Sequence, residues 1–163
     1  MKQIMIIDGY NLLYQFSDLR KKMERNLEGA REDLLFRLSA YAKRSSFEII
    51  VVFDGDGRVK EDQFPVQNLQ VVFSALPEKA DPLIRRLILE KVDQGYTTVI
   101  TSDHEIIEDA RSYGVAVITS QSFANMHLGS YVREEEKKYD HPMNRDELDE
   151  WTRLFQDKQK KYE

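Results

Sequence analysis

QIMIIDGYNLL, residues 3–13, opens with an apolar run that stops at an acid and a glycine. Gln3 to Ile7 has the length and composition of a buried strand, and Asp8-Gly9 has the chemistry of a turn. The same design recurs. EIIVVF, residues 48–53, ends at Asp54-Gly55, and TTVIT, residues 97–101, ends at Ser102-Asp103. Leu69 to Phe73 and Val115 to Ile118 complete a set of five short apolar runs.

Helical spacing fills the gaps. Leu27 to Lys43 places Leu34, Leu35, Leu38, Tyr41 and Ala42 on one side. Pro82 to Gln94 predicts a helix with Asp81 as its N-cap, Pro82 as its first residue and Gly95 as its stop. Glu105 to Tyr113 predicts another, stopped by Gly114, and a further helix is expected near Ser122 to Tyr139. Gly57 to Asn68 is polar, contains Pro65, and reads as a loop. Apolar strands alternating with helices predict an α/β fold with a central, mainly parallel five-stranded sheet covered on both faces. One domain over residues 1–140 is expected. His141-Pro142 breaks the chain there, and 141–163 is expected to form a C-terminal helix packed on the domain or extending from it. In that helix Asn144 and Glu147 stand at capping-box spacing, and Leu148, Trp151, Leu154 and Phe155 offer an apolar face.

The chain has 163 residues, 41% hydrophobic and 33% charged, which suits a globular domain with a sizeable core. It contains no cysteine, so disulfides and thiolate metal sites are excluded. The apolar run at the N-terminus is interrupted by Asp8 and lacks a small-residue cleavage site, so no signal peptide is read there. No run approaches the ~20 apolar residues that span a bilayer. A cytoplasmic protein without membrane association is the expectation. Net charge is −5, from 24 Lys and Arg against 29 Asp and Glu. That balance disfavours a general nucleic-acid binder, but a cation-binding acid cluster would account for part of it.

Binding sites of open parallel sheets form outside the carboxyl ends of the strands. Asp8, Asp54 and Asp103 each stand where an apolar run stops. Asp81 adds a fourth acid at a helix start, with Glu78 three residues before it. Two carboxylates about 5 Å apart repel by roughly 3 kcal/mol at an effective dielectric near 20. Such a cluster predicts a divalent cation, Mg²⁺ or Mn²⁺, held by one or two direct carboxylates. The associated chemistry is attack of water on a phosphate. Each acid taken alone has a plainer role: Asp-Gly is a common turn pair, and Asp81 and Asp103 are good helix caps. Turns and caps do not require acids after three separate strands, however, and that recurrence favours the metal reading.

Other motifs fail. DGDGR, residues 54–58, starts like a calcium loop, but Arg58 stands where an oxygen ligand should be. No complete dinucleotide fingerprint or phosphate-binding loop with a lysine is present. His104, His127 and His141 are scattered, although His104 adjoins Asp103.

IIDGYNLL, VVFDG, ADPLI and VITSD together, in this order over roughly residues 1–139, resemble the YacP-like branch of the NYN domains, which are PIN-like nucleases. The resemblance implies a PIN-like three-layer sandwich, a divalent metal at a carboxylate cluster, and endonucleolytic cleavage of RNA. It implies Asp8, Asp54, Asp81 and Asp103 as the catalytic acids and metal ligands, and adds the amide of Asn11, which could instead be a helix cap. It further implies single-stranded RNA, messenger RNA in particular, as substrate, and raises the translating ribosome as a partner. The segment SQSFANMHLGSY after the fifth strand departs from the basic stretch of many relatives, and Asp56 follows the second-strand acid as an extra carboxylate.

An RNA substrate needs cations and aromatic rings to hold it. The candidates are Arg58, Lys60 and Phe64 in the long loop, and Arg20, Lys21, Lys22 and Arg25 after the first helix. Arg85 and Arg86 lie one turn after Asp81. Tyr10 reads as a core residue. Two rival functions are a non-catalytic RNA- or ribosome-binding module with the same fold and a DNA-directed 5′-nuclease. The short chain leaves little room for the extra DNA-binding helices of the latter.

Overall fold

The computed structural model describes residues 1–55, 66–75 and 78–129. All of these fall in the first of two units, Met1–Val132. The expected C-terminal helix and most of the expected polar loop lie outside the described residues.

Elements follow in the order β1 (Lys2–Asp8), α1 (Gly9–Leu13), α2 (Ser17–Arg25), α3 (Leu27–Ala42), β2 (Glu48–Phe53), β3 (Leu69–Phe73), α4 (Ala80–Lys91), β4 (Gly95–Ile100), α5 (His104–Ser112), β5 (Ala116–Ile118) and α6 (Ser120–His127). The five strands form one sheet in the order β3-β2-β1-β4-β5, with every neighbouring pair parallel. The α/β architecture with a parallel five-stranded sheet is therefore as the sequence predicts.

Alternate strand residues face opposite ways, and each face has its own apolar core. Met5, Ile7, Ile49, Val51, Phe53 and Ile100 pack with Leu12, Leu34, Leu38 and Phe123 of the helices α1, α3 and α6. Ile4, Ile6, Ile50, Val52 and Val99 pack with Ile84 and Ile88 of α4 and Ile106 of α5. Burial of each such side chain contributes roughly 1.5–3 kcal/mol. The two cores give the three layers: helices, sheet, helices.

The strand order places a topological switch at β1. From it the chain builds outward to β2 and β3, then crosses to β4 and β5 on the other side. Connections leaving the carboxyl ends of β1 and β4 diverge to opposite faces, and the gap between them is where open α/β sheets hold ligands.

Several boundaries differ from expectation. Helix α4 begins at Ala80, and Lys79 occupies the N-cap position. Asp81 is thus in the first turn and is not the cap. The helix ends at Lys91, before Gly95, which instead opens β4, where a Cβ would lie 2.1 Å from the Lys2 carbonyl oxygen. The basic residues Arg20, Lys21, Lys22 and Arg25, expected after the first helix, lie on α2, which follows α1. Helix α6 begins at Ser120 and ends at His127; the remainder of the range expected to be helical passes beyond the described residues.

Candidate active site

Asp8 ends β1, level with Val52 of β2 and one step beyond the Ile7–Ile100 pair with β4. The helix α1 starts at once, and its close approach to β2 fixes the next residue. A Cβ on Gly9 would lie 2.5 Å from a ring carbon of Phe53 and 2.8 Å from the Val52 carbonyl oxygen. Gly9 has no positive φ, so this glycine supplies space and not the turn conformation that Asp-Gly suggests.

The Asp8 side chain is buried, at 8% exposure. Its Oδ2 accepts from the Thr101 hydroxyl at 3.1 Å, and Thr101 Oγ1 in turn accepts from the Asp103 N–H at 3.1 Å. Burial is the main cause that pushes the Asp8 carboxyl up to about 6, and the charges of Asp81 and Asp103 push the same way. The Thr101 hydroxyl and the Asn11 backbone N–H oppose the rise. Asp81 is also raised, first by burial, then by the charges of Asp103 and Asp54, and more weakly by Glu105, with Arg85 pulling it down. At the carboxyl end of the sheet Asp81 and Asp103 thus act on Asp8, and Asp103 and Asp54 act on Asp81.

Each acid is held by a different contact. Asp54 is exposed and its Oδ1 accepts from the Ala80 N–H in a close contact, so it tethers the first turn of α4, where Asp81 stands. Asp103 caps α5, as its type suggests: Oδ1 accepts from the N–H groups of Glu105 at 2.9 Å and Ile106 at 3.3 Å. Its Oδ2 is not used in the cap.

Asn11 is not a helix cap. Its Oδ1 accepts from the Ser102 N–H at 2.8 Å and from the Ser120 hydroxyl at 2.7 Å. Ser120 is fully buried, and its own N–H bonds Ser102 Oγ at 3.1 Å. A backbone N–H can only donate, so the oxygen of the amide must face Ser102. The Asn11 NH₂ group is thereby turned away from the two serines as a donor. Thr101, Ser102 and Ser120 were not singled out from sequence; the only signal was a hydroxyl-rich TS at 101–102 and again at 119–120.

All these donors are oxygen, which suits Mg²⁺ or Mn²⁺. Among the described residues, no three His, Cys, Asp or Glu side chains close into a ligand cage. A hard ion that keeps several waters and takes one or two carboxylates does not require such a cage. A buried carboxyl raised to about 6 beside two further acids is the kind of uncompensated charge such an ion would relieve.

The expected substrate cations fall in varied places. Arg58, Lys60 and Phe64 lie outside the described residues, as does Asp56. Arg85 is half-exposed on α4 and reaches Glu105 at 3.3 Å and Asp109 at 2.6 Å on α5. Arg86 pairs with Glu78 at 2.8 Å. Lys22 pairs with Asp33 at 2.7 Å, tying α2 to α3. Arg20 is exposed on α2. Tyr10 packs edge-on against Phe53 at 5.0 Å, in keeping with a core role. His104 is the exposed first residue of α5. No helix among the described residues is long and apolar enough to cross a membrane.

Comparison with known proteins bears on this site. A family model described as the YacP-like NYN domain matches residues 5–163. The uncharacterized protein YacP of Bacillus subtilis (strain 168) is 29% identical over 108 residues, 65% of this chain and 60% of that protein. The match thus spans less than two thirds of that relative's length. Two crystal structures of Rae1 (YacP) from Bacillus subtilis superpose with TM-scores of 0.65. One, a W164L mutant, is 22% identical and is matched over 84% of this chain and 80% of its own. The other is 20% identical, over 98% and 91%. At these identities the structures show the shared PIN-like fold.

Proposed function

The chain belongs to the YacP-like NYN domain family, within the PIN-like nucleases, and from that premise we propose that it is a divalent-metal-dependent endoribonuclease acting on single-stranded RNA. The observation that carries this reading is that Asp8 and Asp81, on separate elements, are both raised, first by burial and then by the charges of neighbouring acids, Asp81 and Asp103 on Asp8, Asp103 and Asp54 on Asp81. Turns and caps alone give no reason for it.

Asp8 and Asp81 are the residues that would hold Mg²⁺ or Mn²⁺, and Oδ2 of Asp103, which its cap leaves unused, is a further candidate. A bound ion of this kind neutralises phosphate charge and makes water a competent nucleophile near neutral pH. The chain's own part is positional. Thr101 fixes the rotamer of Asp8 and links it to Asp103. Asp54 sets the start of α4 and so the place of Asp81. Asn11, oriented by Ser102 and Ser120, offers its NH₂ to a phosphate oxygen or to the attacking water. The half-exposed guanidinium of Arg85 stands one turn after Asp81, where it can meet the RNA backbone, and Arg20 extends basic surface on α2. Messenger RNA, the translating ribosome and a cytoplasmic location fit this activity and are part of the proposal.

A second reading, a non-catalytic RNA- or ribosome-binding module, is favoured by the absence of a closed ligand cage among the described residues. Incubation of pure protein with labelled single-stranded RNA and Mn²⁺ separates the two. The enzyme reading expects internal cleavage that EDTA abolishes and that Asp8→Asn and Asp81→Asn each lose. RNA bound without turnover would support the binding module. Cleavage that persists in EDTA or in either variant would remove the metal mechanism.

A further inference from the structure

We propose that Arg31 is a phosphate-binding residue for the RNA strand, receiving a phosphodiester beside the one that is cleaved. The inference rests on the ribonuclease reading above and adds a site outside the acid cluster.

Helix α3 carries the chain from the carboxyl end of β1 back to the amino end of β2. Its far end is fixed there by Asn68, whose amide donates to the Ala42 and Phe47 carbonyls at 2.9 Å. The first turns of α3, and Arg31 with them, therefore lie at the same end of the sheet as Asp8. Three rings from that end line the position. Phe53 and Phe73, the last residues of β2 and β3, stack at 5.7 Å, and Tyr10 meets Phe53 edge-on. Arg31 Cζ sits 5.3 Å from the centre of the Phe73 ring, and Nη1 donates to the Tyr10 hydroxyl at 2.9 Å.

Arg31 is only 8% exposed. Its Nε is buried with no hydrogen-bond partner, and no carboxylate among the described residues pairs with it. Three other cations among the described residues are compensated: Arg37, on the same helix and as buried as Arg31, pairs with Asp18, Arg85 with Asp109, and Lys22 with Asp33. A buried cation without a counter-charge is destabilising, and an apolar residue of similar volume would suit a pocket of three rings better. What a guanidinium offers there is a flat, pre-oriented fork of donors that matches a phosphate. Tyr10 holds that fork in place, and Tyr10 is two residues from Asp8. A polyanion drawn to the metal at Asp8 would bring a neighbouring phosphate to it.

The test is binding of a fluorescent single-stranded oligoribonucleotide in EDTA, where nothing is cleaved, as a function of KCl concentration. Arg31→Gln is expected to weaken binding about tenfold and to lower the salt slope by about one phosphate contact. Arg31→Lys keeps the slope, and Tyr10→Phe keeps the slope while weakening binding a few-fold. A purely structural arginine would leave the slope unmoved. Unchanged affinity and slope in Arg31→Gln overturn the proposal, even where Mn²⁺-dependent cleavage by the wild type stands. Should Arg31→Gln not fold, unchanged affinity in both Arg31→Lys and Tyr10→Phe overturns it equally, as does a wild-type chain that binds no RNA. Arg31-dependent binding with no cleavage in Mn²⁺ supports the site and contradicts the enzyme reading alone.

Discussion

The hydroxyl of Ser120 donates to Oδ1 of Asn11 at 2.7 Å, joining residues 109 positions apart. With the Ser102 N–H on the same oxygen, it fixes which way the Asn11 amide faces. In Ser120→Ala, Asn11 keeps the Ser102 N–H, which still sets the direction of its oxygen, and loses the second bond that holds the amide firmly in that place. Loss of one such buried bond costs about 1–2 kcal/mol. The expected outcome is a several-fold fall in kcat for RNA cleavage with KM little changed, and a small fall in Tm. Kinetics indistinguishable from wild type would mean that the second bond on the Asn11 amide does not matter to the reaction.

The carboxyl of Asp8 gives a pH dependence of stability. Its value in the fold is about 6 against an ordinary 3.8, so between these values the folded chain holds more protons than the unfolded one. Stability therefore falls as pH rises through roughly 4 to 6, and stays lower above. A rise of this size corresponds to about 3 kcal/mol in the metal-free protein. Asp8→Asn keeps an acceptor for Thr101 and removes the charge. Urea unfolding without divalent ions should show the variant more stable than wild type at pH 7.5, by up to about 3 kcal/mol, and close to wild type near pH 4. A variant less stable than wild type at pH 7.5 would contradict the field described for this site.

Gly9 is predicted to tolerate no side chain. A Cβ would overlap Phe53 and approach the Val52 carbonyl oxygen at 2.8 Å, and relief requires α1 to shift. Gly9→Ala should lose about 1–3 kcal/mol by thermal or urea unfolding. Because α1 carries Asn11 and follows Asp8 directly, RNA cleavage should fall further than stability does. A neutral substitution would show that α1 has more freedom than its contacts imply.

Asp54 positions a neighbour. Its Oδ1 receives the Ala80 N–H, which starts the helix that bears Asp81. Asp54→Ala leaves that N–H without its acceptor and is expected to destabilise by about 1 kcal/mol, in the range of a lost helix cap. Asp54→Asn retains an acceptor and should restore most of the stability. Equal stability of the wild type, the Ala variant and the Asn variant would contradict this role.

The strands and their terminal acids were legible because a buried parallel strand is a nearly unbroken apolar run, and Asp8, Asp54 and Asp103 stand where those runs stop. The start of α4 differs from the sequence expectation for a physical reason. Asp81-Pro82 has the local chemistry of a cap and first residue, but the acceptor that serves this helix is Asp54, 26 residues earlier. The Asn11 clamp was equally hidden, since Ser102 and Ser120 reach it only through the strand order. Gly9 looked like turn chemistry and is a packing requirement. Nothing in the pattern around Arg31 separates a buried, unpaired arginine from an exposed one, because its neighbours on α3 have the same helical spacing either way.

Mn²⁺ binding by isothermal titration calorimetry at pH 7.5 tests the proposed cation site most directly. The wild type should bind the ion, and Asp8→Asn and Asp81→Asn, each folded, should each lose at least about tenfold in affinity, a change of roughly 1.4 kcal/mol. Equal affinity in all three proteins, or no binding by the wild type, would contradict a joint cation site at the ends of β1 and β4.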